Sequence, residues 1–231
     1  MSPKQLLLWC RQIAEGMAYL SELKDGDKLV HRDLAARNIL VKNPNHVKIA
    51  DFGLAMLVVQ QEKDFVDDSG GRMPLKWLAI ECIQEGRYSH KSDVWSFGVT
   101  IWELLTYGKK PFQNVSGRGR CLDQTFTVIK EMFAKHQTGL LDLLIKGGRL
   151  EQPDNCSTEL YTLMLTCWFL DPDQRPKFTT IVKELIDMED APSRYVVITG
   201  GGSTPHSKTP KKSINSPLPP LDLDEGTVAC N

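Results

Sequence analysis

Apolar residues at Leu6, Cys10, Ile13, Met17 and Leu20 recur at steps of four and three, the period of one buried helix face. Just ahead, Ser2-Pro3-Lys4-Gln5 offers a capping serine, a proline at the first helical position and a glutamine three residues after the cap. A second stretch, 92–106, carries apolar residues on every side, which predicts a central buried helix capped by Ser92 or Asp93 and ended at Gly108. Further helices are predicted over 140–146, from the cap Ser157 through Leu160, Leu163, Met164, Cys167 and Trp168, and over 179–188. Between the first two helices, Ile39-Leu40-Val41 and Val47-Lys48-Ile49-Ala50 flank Asn43-Pro44-Asn45, the pattern of a short β-hairpin. Ser21 to Lys28, with Asp25-Gly26-Asp27, reads as a turn. The sum is an α+β fold, mainly α, with one small hairpin.

The 231 residues suffice for one ordinary domain with a real core. A hydrophobic share of 41% and a charged share of 25% are those of a soluble globular protein. The net charge of −1 points to neither nucleic acid nor bulk attraction to a membrane surface. Cysteines 10, 82, 121, 156, 167 and 230 form no C-x-x-C pair and have no zinc spacing, so they read as reduced, mostly buried thiols of a reducing compartment. The apolar run Leu6 to Cys10 is too short for a signal peptide, and no segment reaches membrane-spanning length. From Thr199 the composition turns to Gly, Ser, Thr, Pro and Lys, which predicts a disordered tail over 199–231, with Lys208 to Lys212 a solvated charge cluster.

Candidate chemistry lies in two motifs. The first is Val30-His31-Arg32-Asp33-Leu34-Ala35-Ala36-Arg37-Asn38-Ile39; the second is Asp51-Phe52-Gly53, eighteen positions after Asp33. H-R-D-L-x-x-x-N followed by D-F-G is the signature pair of the protein kinases. Two independent motifs in the right order are far more specific than a single Gly-rich loop. The filling Leu34-Ala35-Ala36-Arg37 resembles the catalytic loop of tyrosine kinases. The resemblance implies ATP and Mg²⁺ as cofactors. It makes Asp33 the carboxylate facing the substrate hydroxyl, Arg37 a group that seats the tyrosine, and Asn38 and Asp51 the hard oxygen ligands of Mg²⁺. Leu40 would form the floor under the adenine. Arg-Tyr-Val-Val-Ile at 194–198 resembles the epidermal growth factor receptor family in particular.

Within that family pattern, 51–81 is the activation segment. Met73-Pro74-Leu75-Lys76-Trp77 resembles the substrate-seating loop of tyrosine kinases, and Ala79-Ile80-Glu81 stands where A-P-E does. Glu81 is expected to pair with Arg175, and Asp93 to hold the catalytic loop from below through backbone hydrogen bonds. One departure is that no tyrosine lies between Asp51 and Glu81; Phe65 stands at the usual place of the regulatory tyrosine. Arg32 would ordinarily receive its phosphate. Asp64, Asp67 and Asp68 are either a partial substitute for it or a solvated loop.

A second departure is an insert over 117–139, beginning Gly117-Arg118-Gly119-Arg120, with Phe126, Ile129 and Phe133 at helical spacing. It reads as a lineage-specific insertion, a partner-binding helix or translated intron; the lack of a turn signal at its end favours the last. The resemblance therefore covers the large, carboxy-terminal lobe of a tyrosine kinase, 1–198 less the insert. A Gly-rich phosphate loop and the V-A-I-K lysine are missing from the sequence. This implies a fragment that binds Mg-ATP at millimolar strength or weaker and is inactive alone. The resemblance-based expectation is half of a receptor protein-tyrosine kinase, acting on protein tyrosines at the cytoplasmic side of the plasma membrane. Membrane attachment would come only through upstream sequence, and the fragment alone would be cytoplasmic. Its partner would be another receptor kinase domain. The rival readings are a non-catalytic docking lobe, using the helix at 158–167 to activate that partner, and a truncated product that does not fold.

Overall fold

A computed structural model of the chain describes residues 1–23, 27–58, 65–66 (backbone), 74–113 and 139–198. Two units are distinguished, Met1–Gly200 and Gly201–Asn231, and all that follows concerns the first. In chain order its elements are α1 (Pro3–Ser21), β1 (Lys28–Val30), β2 (Ile39–Asn43), β3 (His46–Ile49), β4 (Met56–Val58) and β5 (Phe65–Val66). Then come α2 (Ile80–Glu85), β6 (Arg87–Tyr88), α3 (His90–Leu105), α4 (Gly139–Ile145), α5 (Thr158–Cys167), α6 (Phe178–Glu189) and α7 (Pro192–Tyr195).

Helix α1 starts because the Ser2 hydroxyl accepts the Gln5 N–H at 3.1 Å and Pro3 fits the first turn. Its buried face, Leu6, Leu7, Trp9, Cys10, Ile13, Ala14 and Met17, packs on α6. Its rim pairs there too, Arg11 Nε donating to Glu189 at 2.6 Å. The same helix clasps the hairpin. Gln5 Nε2 and Trp9 Nε1 both donate to the Pro44 carbonyl, at 2.8 and 2.9 Å, and Gln12 bonds Asn45 O and Val47 N. The hairpin is thus fixed from below by side chains, not by a sheet.

Helix α3 runs through the centre, against α5 and the catalytic loop. Its start corrects the sequence expectation. The helix opens at His90, two residues earlier, and the cap is Ser89, not Ser92 or Asp93. Ser89 and Ser92 form a reciprocal capping box, which releases Asp93 for other bonds. Close approach of α5 depends on Gly98, where a Cβ would lie 2.7 Å from Trp168 Nε1 and 3.0 Å from Cys167 Cβ.

Among the described residues, two more two-stranded antiparallel sheets accompany the hairpin β2–β3: β1–β4 and β5–β6. Helices α4 and α6 each begin one residue earlier than their apolar patterns suggested. Cys10, Cys82, Cys156 and Cys167 are buried free thiols. Burial pushes Cys10 and Cys156 up to about 12, so they stay protonated and unreactive. The insert's helical pattern, Asp25-Gly26, the acidic residues Asp64, Asp67 and Asp68, Cys121, Cys230 and the 199–231 tail all lie outside the described residues.

Candidate active site

Asp33 lies after β1, and a single 3-10 turn, Ala36–Asn38, brings two later side chains back onto it. Arg37 pairs with Asp33 Oδ1, and Asn38 Nδ2 donates to Asp33 Oδ2 at 2.9 Å and to its carbonyl at 2.7 Å. The Asp33 side chain is 13% exposed, enough to meet an incoming group and little enough to be held. Two acceptors against the Asn38 nitrogen fix the amide's orientation, so its carbonyl oxygen faces away from Asp33.

His31 joins the two motifs. Its Nδ1 accepts the Asp33 N–H at 3.3 Å, while Nε2 faces the Ala50 carbonyl at 3.2 Å. That pattern needs a neutral ring with the proton on Nε2, and burial lowers the pKa in agreement. Ala50 N–H in turn donates to Asn38 O at 2.9 Å. Asp51 follows directly, in the left-handed region at φ +63°, with Oδ1 accepting the Gly53 N–H at 3.3 Å. A Cβ on Gly53 would lie 3.2 Å from that oxygen, so glycine leaves the carboxylate its place. Phe52 leans on His31 with ring centroids 5.0 Å apart. Asn38 and Asp51 are thereby brought to one end of the hairpin. Leu40, on β2, is 57% exposed.

The donor set fits Mg²⁺. Among the described residues no group of three or more His, Cys, Asp or Glu gathers. Asn38 and Asp51 therefore offer a pair of hard oxygens, not a full cage. Mg²⁺ is commonly held this way, with water and phosphate oxygens completing its shell.

Beneath the loop, Asp93 accepts the backbone N–H groups of His31 at 2.8 Å and Arg32 at 3.0 Å. Arg32 sits at φ +70°, a left-handed backbone those two bonds help to hold, and its guanidinium lies 4.3 Å above the Tyr88 ring. The backbone of Phe65 is in register with Tyr88 across β5–β6. Glu81 and Arg175 form a buried two-bond pair, at 2.6 and 2.8 Å. Arg175 also donates to the Phe169 and Lys91 carbonyls and stacks on Trp95.

Pro74 caps the 3-10 turn Leu75–Trp77. The Lys76 ammonium donates to Phe112 O at 2.8 Å, which ties this segment to the loop after α3. Trp77 lies under Arg37, 4.7 Å from guanidinium carbon to ring centroid. Sequence reasoning missed Ser96 and Glu103 of α3. Ser96 Oγ donates to Trp77 O at 2.7 Å, and Glu103 Oε2 accepts both Ala36 N–H at 2.9 Å and Trp77 Nε1–H at 2.8 Å. The available signal was the buried polar series Asp93, Ser96, Thr100, Glu103, spaced 3, 4 and 3 along an otherwise apolar helix.

Comparison with known proteins gives this geometry its context. The family model described as protein tyrosine and serine/threonine kinase matches residues 1–185. The human receptor tyrosine-protein kinase erbB-4 is 50% identical over 197 residues, 85% of this chain and 13% of that receptor. The epidermal growth factor receptor of Apis mellifera is 48% identical over the same shares of each. The mouse receptor tyrosine-protein kinase erbB-2 is 45% identical over 214 residues, 91% of this chain and 15% of that receptor. The chain thus spans less than a sixth of the length of these curated relatives. By the match over residues 1–185, the chain belongs to the protein tyrosine and serine/threonine kinase family, and it is similar there to receptors of the epidermal growth factor receptor type.

Proposed function

We propose that residues 1–198 are the large lobe of a receptor protein-tyrosine kinase and provide the acceptor side of phosphoryl transfer from ATP to a protein tyrosine. The observation that carries this reading is the Asp33 carboxylate, fixed by Arg37 and Asn38 and joined through His31 to the Ala50–Asp51 turn. Mg-ATP, when bound, supplies the phosphoryl group and neutralises its charge. Asn38 and Asp51 are the residues that would hold the metal, and Leu40 the one under the base.

A carboxylate is in general a weak base for a phenol. Tyrosine near 10 and aspartate near 4 differ by about 6 pK units, roughly 8 kcal/mol uphill. Asp33 therefore orients the hydroxyl and would take its proton late, as the phenolic O–P bond forms, the bond from the γ-phosphorus to the ADP leaving group breaks and the phenol acidifies. Arg37 steadies the carboxylate until then. Pro74, Leu75, Lys76 and Trp77 form the ledge for the substrate chain, although the Lys76 ammonium is committed to Phe112 O and serves that ledge from behind. The protein would work at the cytoplasmic face of the plasma membrane, beside a second receptor kinase domain.

The experiment begins with long-read sequencing of the transcript, followed by expression of the whole reading frame and measurement of phosphotyrosine on a tyrosine peptide. Asp33→Asn is expected to lower kcat about a hundredfold or more. Transfer unaffected by that change overturns the reading. The 231-residue chain alone is expected to bind Mg-ATP with a dissociation constant of about 1 mM or weaker, read by calorimetry.

A further inference from the structure

Helix α3 holds the catalytic turn at two places. Asp93 takes its first half, His31 and Arg32; Glu103, ten positions on, takes Ala36 in its second half. The same Glu103 oxygen accepts the Trp77 indole N–H from a segment far away in sequence. The Trp77 ring carries Arg37, and Arg37 pairs with Asp33. Three contacts thus run from the buried Glu103 carboxylate to the Asp33 carboxylate.

We propose that Glu103 is a positioning residue: it sets Trp77 as the shelf for Arg37, and through Arg37 it fixes the Asp33 carboxylate. The ledge that receives the substrate chain and the group that receives its proton are then one mechanical unit. The catalytic half of this inference rests on the kinase reading above; the structural half stands on geometry alone.

Simple satisfaction of a buried carboxylate does not explain the arrangement. An apolar side chain at this place would avoid the desolvation cost that raises the Glu103 pKa. What Glu103 adds is an acceptor common to two segments that lie far apart in sequence. Trp77 is held at both ends, by Ser96 at its carbonyl and by Glu103 at its indole, which leaves the ring little freedom to tilt from beneath Arg37.

The test uses the full chain for structure and the whole reading frame for catalysis. In Glu103→Gln, hydrogen exchange of the Trp77 indole and Arg37 Nε protons, followed by NMR, is expected to speed up about tenfold or more. Unchanged exchange overturns the proposal. In the whole kinase, Glu103→Gln and Trp77→Phe are each expected to lower kcat about tenfold with KM for Mg-ATP unchanged. The double variant is expected to lose no more than either single change, because both cut one chain of contacts. Multiplying losses, or a loss carried by KM for Mg-ATP, overturns it. Trp77→Phe retains an aromatic face and tests the link from its far end should Glu103→Gln not fold. If Asp33→Asn leaves transfer intact, the kinase reading fails while the exchange measurement still decides whether Glu103 holds the shelf.

Discussion

Around Asp33, the polar groups that shape the turn meet partners within the chain: Asp93 beneath His31 and Arg32, Glu103 beneath Ala36 and Trp77, Asn38 against Asp33 itself. Along the hairpin and β4, a short distance away, Leu40, Val41, Phe52 and Leu57 stand exposed to solvent. The first region is finished by internal bonds. The second leaves these four apolar side chains uncovered by the described residues. The difference teaches that the geometry around Asp33 is completed by these residues' own bonds, whereas the face carrying Leu40, proposed to meet the nucleotide, has no cover among the described residues.

The sharpest way to break the finished side is to leave one of its buried charges alone. Glu81→Ala strands the Arg175 guanidinium in the core and is expected to cost about 3–5 kcal/mol in urea unfolding, with a joint Glu81→Leu, Arg175→Leu change recovering much of it. Next comes Asp93→Ala, which leaves two buried N–H groups unpaired and is expected to cost about 2–4 kcal/mol. Asp93→Asn, keeping one acceptor oxygen, is expected to cost less.

A comparable effect belongs to pH. His90 is held neutral, its pKa lowered from 6.5 to about 4 by burial and by the charge of Lys28. Between those values the unfolded chain takes up a proton at His90 that the folded chain refuses, so the contribution of His90 to stability falls as pH drops from 6.5 toward 4. The expected loss is about 2–3 kcal/mol, and a His90→Gln variant followed by urea unfolding across that range should show a flatter profile. At the small end, Leu40→Thr and Val41→Thr are expected to change stability by under about 0.5 kcal/mol, since neither side chain is in the core. They are expected to reduce binding of an apolar dye. A large stability loss there would show that the open side is not open.

The long helices were legible because both a 3.6-residue period and a cap announced them, as at Ser2 and Ser157. Helix α3 was mis-started because Ser92 and Asp93 are both good caps on residue type. The outcome was decided by tertiary bonding, which took Asp93 for the loop and left Ser89 as the cap. The sheets β1–β4 and β5–β6 were not legible, since two or three residues carry no period and their pairing is set by distant chain. Asp33, Arg37 and Asn38, which the structure brings into contact, were picked out by type and spacing. Glu103 was not, because one glutamate in an apolar helix does not say which segments will turn their N–H groups toward it.

Two residues of the site, Arg32 and Asp51, occupy left-handed backbone that glycine adopts without strain. In evolutionary terms this sets fitness for folding against fitness for function. Asp51→Gly would relieve about 1 kcal/mol of local strain and remove the carboxylate that the proposed metal role needs. At that position, then, what eases folding and what the proposed metal role requires pull in opposite directions.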